Sequence, residues 1–289
     1  MGVPKTLLVG LKSEHFRHPF DLEATQALKQ LPGLDSVIRT LLGPVAEQFF
    51  FAENIASSVL VGEQQLPDLY QLLLDACQIL DLEPPQLYVR QNPMPNAYTF
   101  AIRGKQPFIV LHTSLIDMLT PAEIQAVIAH ELGHLKCDHG VYLTLANVLI
   151  LAAGQLTPWG GMIAQNLQAT LMEWVRCAEF TCDRAALLVA QDPSVVASVL
   201  MKLAGGSPKL APLLNLDAFL AQARSYDRIS DSDLGRMLKE VQTSQLTHPV
   251  PVLRAREIDR WAHSQNYQLL LKERTILYNS EAKGGWRNW

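Results

Sequence analysis

The sequence predicts an α+β fold that is predominantly helical and carries one small antiparallel sheet. Apolar residues recur at helical intervals from Pro67 to Leu80, and the pattern is almost wholly helical after Thr120. Between these helical regions lie three short runs of β-type residues, divided by turn residues. These runs are Gln86 to Gln91 (QLYVRQ), Ala97 to Ile102 (AYTFAI) and Pro107 to Thr113 (PFIVLHT). With 289 residues, of which 48% are hydrophobic, the chain can bury a sizeable core.

Three segments differ in character along the chain. Residues 1–52 look like a helical arm without a catalytic signature, residues 53–272 form the main domain, and residues 273–289 form a polar tail. The arm holds enough apolar residues to pack on the main domain. Two interpretations stay open: the arm completes the core, or the arm or the 140–172 segment covers a cleft in the main domain.

Composition excludes several classes of protein. The net charge of −4, with acidic and basic residues interspersed, leaves no basic surface for nucleic acid. Four cysteines are too few for a disulfide framework and favour a reducing compartment. The apolar run near the amino terminus is too short for a signal peptide, so we expect a cytoplasmic protein that is not secreted. The oligomeric state cannot be predicted from these features.

The stretch VIAHELGHLKCDHG, residues 127–140, places several ionisable side chains in an apolar helix. Thr120, Pro121 and Glu123 form the capping box that begins this helix. His130 and His134 are four residues apart, so both imidazoles project from one side and can bind one metal ion. Glu131 lies beside them, placed to take a proton from a water molecule. This H-E-x-x-H arrangement is typical of zinc peptidases.

A catalytic zinc needs a third protein ligand, and a second helix offers candidates. In WVRCAEFTCDRAALLVA, residues 174–190, Glu179 and Asp183 lie four residues apart on one face. One carboxylate could complete the metal site while the other fixes the tautomer of a ligand histidine. The alternative is an exposed acidic face paired with Arg176 and Arg184.

The sequence resembles the HtpX and CAAX-prenyl-protease group of zinc metallopeptidases, which includes Ste-type and Oma-like members. The resemblance covers about residues 64–258 and includes four blocks in order: PNAYTF, AVIAHELGHLKCDHG, VRCAEFTCDRAAL and THPVPVLRAREI. It implies a zincin-like domain, of the gluzincin type, with the sheet beside the zinc helix. Long transmembrane segments accompany these blocks in the membrane-embedded members, whereas this chain lacks room for them.

The resemblance also implies residue roles. His130, His134 and Glu179 would bind one Zn²⁺ per chain, and Asp183 would support the site from outside the ligand shell. Glu131 would be the general base for a zinc-activated water that hydrolyses peptide bonds. The implied substrate is a peptide or unfolded protein, and the implied role is proteolytic quality control or processing.

Further candidates follow from the same blocks. His248 and Arg254 match a histidine-proline block and would steady an oxyanion or orient the site. The other interpretation is a helix start with a structural arginine. Asn96, Ala97 and Tyr98 resemble the strand that holds substrate by main-chain hydrogen bonds.

Residues 140–172 contain no Asp, Glu, Lys or Arg. The polar and turn residues that interrupt this run argue against a transmembrane helix. We predict a buried helical hairpin with its turn at TPWGG, residues 157–161. The alternative is a hydrophobic surface that makes peripheral contact with a membrane or a partner. Just before this run, we interpret Cys137 as a buried thiol and His139 as a surface histidine.

Two other functions remain possible from sequence. The motif is compatible with a metal-binding scaffold or chaperone without turnover. The uncharged 140–172 segment is compatible with a membrane-surface adaptor.

Overall fold

The computed structural model describes residues 5–30, 52–101, 106–140, 142, 158–230 and 249–272, apart from the side chains of 158–170 and 227–230. Within these ranges, helical segments dominate. A helical segment covers 52–57, and short 3₁₀ helices cover Ser13–His15 and Ala211–Leu213. The α-helices that we label are α1 (Pro19–Lys29), α2 (Pro67–Leu80), α3 (Thr113–Met118), α4 (Pro121–Lys136), α5 (Pro158–Ala190), α6 (Pro193–Gly205), α7 (Leu216–Ser230), α8 (Pro251–Ala262) and α9 (Gln265–Lys272).

Four strands form one sheet in the order β1-β2-β4-β3: β1 (Val59–Leu60), β2 (Gln86–Arg90), β3 (Ala97–Phe100) and β4 (Phe108–His112). Strands β1 and β3 pair antiparallel with their neighbours, whereas β2 and β4 are parallel. The α+β class is confirmed, but the sheet is mixed rather than purely antiparallel. The reason is that β3 pairs only with β4, so β4 lies between β2 and β3.

The two faces of the sheet have different environments. Leu87, Ile109 and Leu111 join the main core together with α4 side chains such as Ile128 and Leu132. The alternate residues of the same strands point to the other face, as expected for a pleated sheet. There Tyr88, Phe108 and Val110 form a small separate cluster. The helical side of the sheet therefore positions α4.

Helix α4 begins where the sequence predicts. The Thr120 backbone N–H donates to Glu123 Oε2 over 2.7 Å, and the Thr120 hydroxyl accepts from the Glu123 backbone N–H. Glu123 also accepts from Ser198 and Lys202, both on α6. The capping residue thus fixes the start of α4 and ties it to α6.

The contact between α4 and α5 is unusually close at Gly133. A Cβ atom at this position would lie 2.9 Å from Ala185 Cβ and 3.0 Å from Cys182 Cα. Both atoms lie on or next to the backbone of α5 and cannot rotate away. Gly133 is therefore required for the two helices to approach, and this approach brings the histidines of α4 to the carboxylates of α5.

The described part of the N-terminal segment packs on α5. Phe16 and Leu8 belong to the main core, and the Trp174 indole N–H donates to the Thr25 hydroxyl over 2.8 Å. Arg184 on α5 donates to the main-chain oxygens of Phe16 and Arg17. Residues 5–30 therefore share their core with the main domain, while the predicted boundaries at 52 and 272 stay predictions.

The 140–172 segment differs in part from the prediction. Helix α5 begins at Pro158, so residues 158–161 of the predicted TPWGG turn are helical. Proline is well suited to the first turn of a helix, so Pro158 is compatible with its place as the first described residue of α5. Residues 143–157 lie outside the described part of the chain. None of the described helices is both long enough and apolar enough to cross a membrane.

We predict that Gly133→Ala lowers the free energy of unfolding by about 1–3 kcal/mol, because the added methyl group forces α4 and α5 apart. Urea unfolding followed by circular dichroism measures this change. Gly205→Ala is the control, since a Cβ there meets nothing within 4 Å. An unfolding free energy for Gly133→Ala equal to that of the unaltered chain would show that this contact is looser than the structure indicates.

Candidate metal centre

Three side chains from α4 and α5 converge on one point. His130 Nε2 lies 3.3 Å from Glu179 Oε2, and His134 Nε2 lies 3.3 Å from Glu179 Oε1. Ligand atoms in a tetrahedral zinc shell with a radius of about 2.0–2.1 Å lie about 3.3–3.4 Å apart. Each histidine therefore lies at the spacing of a zinc ligand from one oxygen of Glu179, and all three side chains are of donor types that zinc binds.

The charges around this point also favour a cation. Three carboxylates, those of Glu131, Glu179 and Asp183, are less than 9% exposed, and the Arg254 guanidinium contacts two of them. Buried negative charge requires compensation. Burial lowers the pKa of His130, but Glu179 and Asp183 outweigh it and raise this pKa to about 10. The cluster thus attracts positive charge, as a divalent metal site should.

His130 has the outer partner expected from sequence. Its Nδ1 lies 3.1 Å from Asp183 Oδ1, on the side of the ring away from Glu179. Arg254 donates to Asp183 through Nη2 over 2.6 Å and through Nε over 2.8 Å. Burial by itself raises the pKa of Asp183, but Arg254 and His130 lower it below its ordinary value. Asp183 is therefore an ionised acceptor that orients the His130 ring.

Arg254 lies against the two carboxylates of α5. Besides its paired contact with Asp183, its Nη1 lies 3.2 Å from Glu179 Oε2. This geometry corresponds to the site-orienting role named in the sequence analysis. His248, the other candidate from the same block, lies outside the described residues.

His134 has an outer partner that sequence reasoning missed. Its Nδ1 lies 3.2 Å from His139 Nδ1, and His139 Nε2 lies 3.1 Å from Asp21 Oδ2. His139 is 1% exposed, so its interpretation as a surface histidine is wrong, whereas Cys137 is buried as expected. Burial lowers the pKa of His139 to about 4, although Asp21 opposes this shift, so the ring is neutral at pH 7.

The end of α4 explains why His139 turns inward. Asp138 adopts a left-handed conformation with φ of 57°, and the His139 backbone N–H donates to His134 O over 2.9 Å. The Asp138 N–H donates to Leu135 O, which completes a Schellman motif. In this motif the residue after the left-handed position contacts the last turn of the helix. The position of His139, directly after the left-handed residue at the end of α4, was therefore the feature of the sequence that could have indicated its burial.

Glu131 is held by the sheet. The Thr99 hydroxyl on β3 lies 2.7 Å from Glu131 Oε2 and 3.2 Å from the Glu131 main-chain oxygen. Both side chains are less than 9% exposed. Thr99 was not identified from sequence, although it lies within the PNAYTF block and its position on β3 follows from strand alternation. Its hydroxyl restricts the rotamers of the predicted general base.

A cavity of ≈ 370 Å³ opens beside these groups. Its polar lining includes His130, Glu131 and Glu179, and most of the other lining residues are apolar, such as Val127 and Leu200. Asn96 and Ala97 line the cavity as well. Tyr98, the third residue predicted for substrate binding, instead packs with the small cluster on the opposite face of the sheet. No described residue of the 5–30 segment lines the cavity.

A second set of donors shares the two histidines. Candidate ligand atoms of His130, His134 and Cys182 lie within 4.8 Å of one another. Burial raises the pKa of the Cys182 thiol well above its ordinary value, whereas metals bind the thiolate. The two distances from the histidines to Glu179, 3.3 Å each, have the spacing of ligands in a tetrahedral zinc shell.

The fold and the site together define a zincin-like metallopeptidase: a helix carrying H-E-x-x-H, a facing helix with a carboxylate, and a strand along the cavity. The family model described as Peptidase family M48 matches residues 63–262, and this chain belongs to that family. It is therefore a metal-dependent protease that acts on peptide or protein substrates.

Known relatives support this assignment. Plastoglobule-localized metallopeptidase 48, chloroplastic, from Arabidopsis thaliana is 60% identical over 271 residues, which cover 94% of this chain and 79% of that protein. Protease HtpX homolog 2 from Methanosarcina mazei is 28% identical over 189 residues, 56% of this chain and 64% of that protein. Protease HtpX homolog from Moorella thermoacetica is 26% identical over 56% of this chain and 64% of its own length. The resemblance to HtpX is thus confirmed. No solved structure gives a significant match.

We predict that Asp183→Ala weakens zinc affinity by about 10- to 100-fold, because His130 loses the acceptor that orients it. Competition with a chromophoric chelator measures the dissociation constant. Asp259→Ala, which removes an exposed carboxylate from α8, is the control. Equal affinities for both variants would mean that Asp183 has no part in the metal site.

Proposed function

We propose that this chain is a zinc-dependent endopeptidase in which His130, His134 and Glu179 hold one Zn²⁺ and Glu131 is the general base. The observation that carries the proposal is the pair of 3.3 Å distances from the histidine Nε2 atoms to the two oxygens of Glu179. When bound, zinc supplies a Lewis acid that polarises the scissile carbonyl and increases the acidity of a water molecule.

Glu131 moves the proton in this proposal. Its Oε2 accepts from the Thr99 hydroxyl, which leaves Oε1 to take a proton from the attacking water. The same carboxyl group then gives the proton to the amide nitrogen as the carbon–nitrogen bond breaks, so that the leaving group departs as an amine. The proton taken from water thus leaves on the amine, and the hydroxyl group of that water becomes part of the new carboxylate.

Substrate binding is proposed at β3. This strand pairs with β4 on one side, and Asn96 and Ala97 line the cavity near its start. Main-chain groups of β3 are therefore suited to pair with an extended peptide. A chain that binds in this way has to be unfolded over several residues, which favours flexible peptides and unfolded proteins as substrates.

Arg254, which also lines the cavity, contributes to this mechanism by positioning the carboxylates of α5. Its guanidinium contacts Asp183 with two nitrogens and Glu179 with a third. These bonds fix the ligand carboxylate and the outer partner of His130 relative to each other. We assign no oxyanion role to Arg254, because its described contacts are directed to carboxylates.

We predict that Glu131→Gln lowers kcat for casein hydrolysis by at least about 100-fold while zinc content stays at one per chain, since glutamine cannot accept the proton. Thr99→Val removes the bond that orients Glu131 and lowers kcat by about 10-fold. Thr99→Ser keeps the hydroxyl group and should restore most of the activity. Peptide release and elemental analysis of the same samples measure both properties.

Glu173→Gln, at an exposed position on α5, is the matched control and should behave as the unaltered chain. A Glu131→Gln protein with unaltered turnover would refute the general-base role. Full zinc content without any hydrolysis in the unaltered chain would favour the scaffold alternative. Proteins that accumulate on Glu131→Gln would identify substrates and test the role in quality control or processing.

The cellular location is a separate proposal. The name of the Arabidopsis relative places that protein in the chloroplast at plastoglobules, which disagrees with a simple cytoplasmic location. We propose that this chain likewise associates peripherally with such particles, with the 140–172 segment as the candidate contact. Flotation of the chain with isolated plastoglobules, and its absence from the soluble fraction, is the expected result. Recovery only in the soluble fraction would contradict peripheral association.

A further inference from the structure

The outer side of His134 is connected to the N-terminal helix. His134 Nδ1 lies 3.2 Å from His139 Nδ1, and His139 Nε2 lies 3.1 Å from Asp21 Oδ2. All three side chains are nearly inaccessible, with exposures of 4% for His134, 1% for His139 and 0% for Asp21. Asp21 belongs to α1, 118 residues before its histidine partner.

The directions of the two hydrogen bonds that connect His134, His139 and Asp21 follow from the ionised state of Asp21. An ionised carboxylate only accepts, so His139 Nε2 must donate to Asp21. A neutral imidazole then has a lone pair at its other nitrogen, so His139 Nδ1 accepts from His134 Nδ1. His134 is left with its lone pair on Nε2, which is the atom that faces Glu179. The network therefore selects the tautomer of His134 that can bind a metal.

His130 has a shorter connection to a carboxylate. There Asp183 accepts directly from Nδ1, and Nε2 faces Glu179. Each histidine of the site thus has a carboxylate behind it. For His130 the carboxylate comes from α5, and for His134 it comes from α1 through His139.

Asp21 is itself firmly held. Its Oδ2 accepts from the Thr181 hydroxyl over 2.7 Å, and its Oδ1 accepts from the Thr25 hydroxyl over 3.0 Å. Arg17 Nε lies 3.3 Å from Oδ2 and provides a positive charge. Burial by itself raises the pKa of Asp21, but His139, Arg17 and Thr181 lower it well below its ordinary value. A carboxylate that only anchored α1 would not need to contact His139, which in turn contacts His134.

We propose that Asp21, acting through His139, is a positioning group of the metal centre, which fixes the tautomer and orientation of His134. The proposal rests on the metal site of the proposed function and extends it to the N-terminal segment. Helix α1 is thereby a part of the metal centre, although no described residue of 5–30 lines the substrate cavity.

The test measures zinc affinity of the full chain by competition with a chromophoric chelator. Asp21→Asn removes the negative charge with little change in shape, and His139→Phe replaces the acceptor with a ring that can still pack on Trp174. We expect each variant to lose about 10- to 100-fold in zinc affinity. Both residues act on His134 through the same hydrogen-bond network. The double variant should therefore lose no more zinc affinity than the single variant that binds zinc less tightly.

Gln191→Asn is the matched control for loss of N-terminal anchoring. Gln191 exchanges two hydrogen bonds with the main chain of Thr6, so it tethers the same segment to the end of α5. Asparagine is too short for these bonds but tolerates the left-handed conformation found there. Gln191 lies twelve residues beyond Glu179, about 18 Å along a helix. The zinc affinity of the Gln191→Asn variant should equal that of the unaltered chain, even if the midpoint of its thermal unfolding falls.

Several results would overturn the proposal. Zinc affinities of Asp21→Asn and His139→Phe within twofold of the unaltered chain would do so, as would an equal loss in Gln191→Asn or additive losses in the double variant. If the two main variants do not fold, Thr181→Val removes one bond to Asp21 and should still lower affinity about threefold; unchanged affinity there counts against the proposal. An unaltered chain that binds no zinc would instead refute the proposed metal site itself.

Discussion

The close approach of α4 and α5 at Gly133 is the contact on which the site depends. Neither helix carries the proposed ligand set alone, because α4 supplies two imidazoles and α5 supplies the carboxylate between them. A side chain at residue 133 would approach the α5 backbone more closely than van der Waals contact allows. The capping bond of Thr120 and the contacts of Glu123 with α6 fix the axial position of α4 against this contact. Helix packing thus sets the spacing of the ligand atoms.

Ion pairs and hydrogen bonds fix the positions of the carboxylates that helix packing brings together. The carboxylates buried near the histidines would repel one another, and Arg254 joins two of them into one rigid group. Glu131, the proposed general base, has a different kind of partner, because it accepts from the neutral hydroxyl of Thr99. In the proposed mechanism, this difference in partner separates the carboxylates that hold the site from the carboxylate that moves the proton.

Local patterns in the sequence predicted much of this arrangement. The capping box located the start of α4, the four-residue spacings placed both pairs on single helix faces, and the three β-type runs correspond to β2, β3 and β4. Contacts between distant segments were not predictable in this way. The parallel pairing of β2 with β4, the Thr99 bond to Glu131 and the Asp21 contact with His139 each join residues that no periodicity relates. His139 was misjudged because the chain reverses at Asp138.

The long sequence separation between α1 and its partners affects how the chain is made. Thr25 and its hydrogen-bond partner Trp174 are 149 residues apart, and Glu179 follows later still. A growing chain that already contains the H-E-x-x-H helix therefore lacks the carboxylate, and its N-terminal helix has no surface on which to dock. Contacts of this kind form late in folding because they close large loops. The proposed metal centre is thus assembled only after Glu179 has been synthesised, so shorter nascent chains lack one of its three ligands.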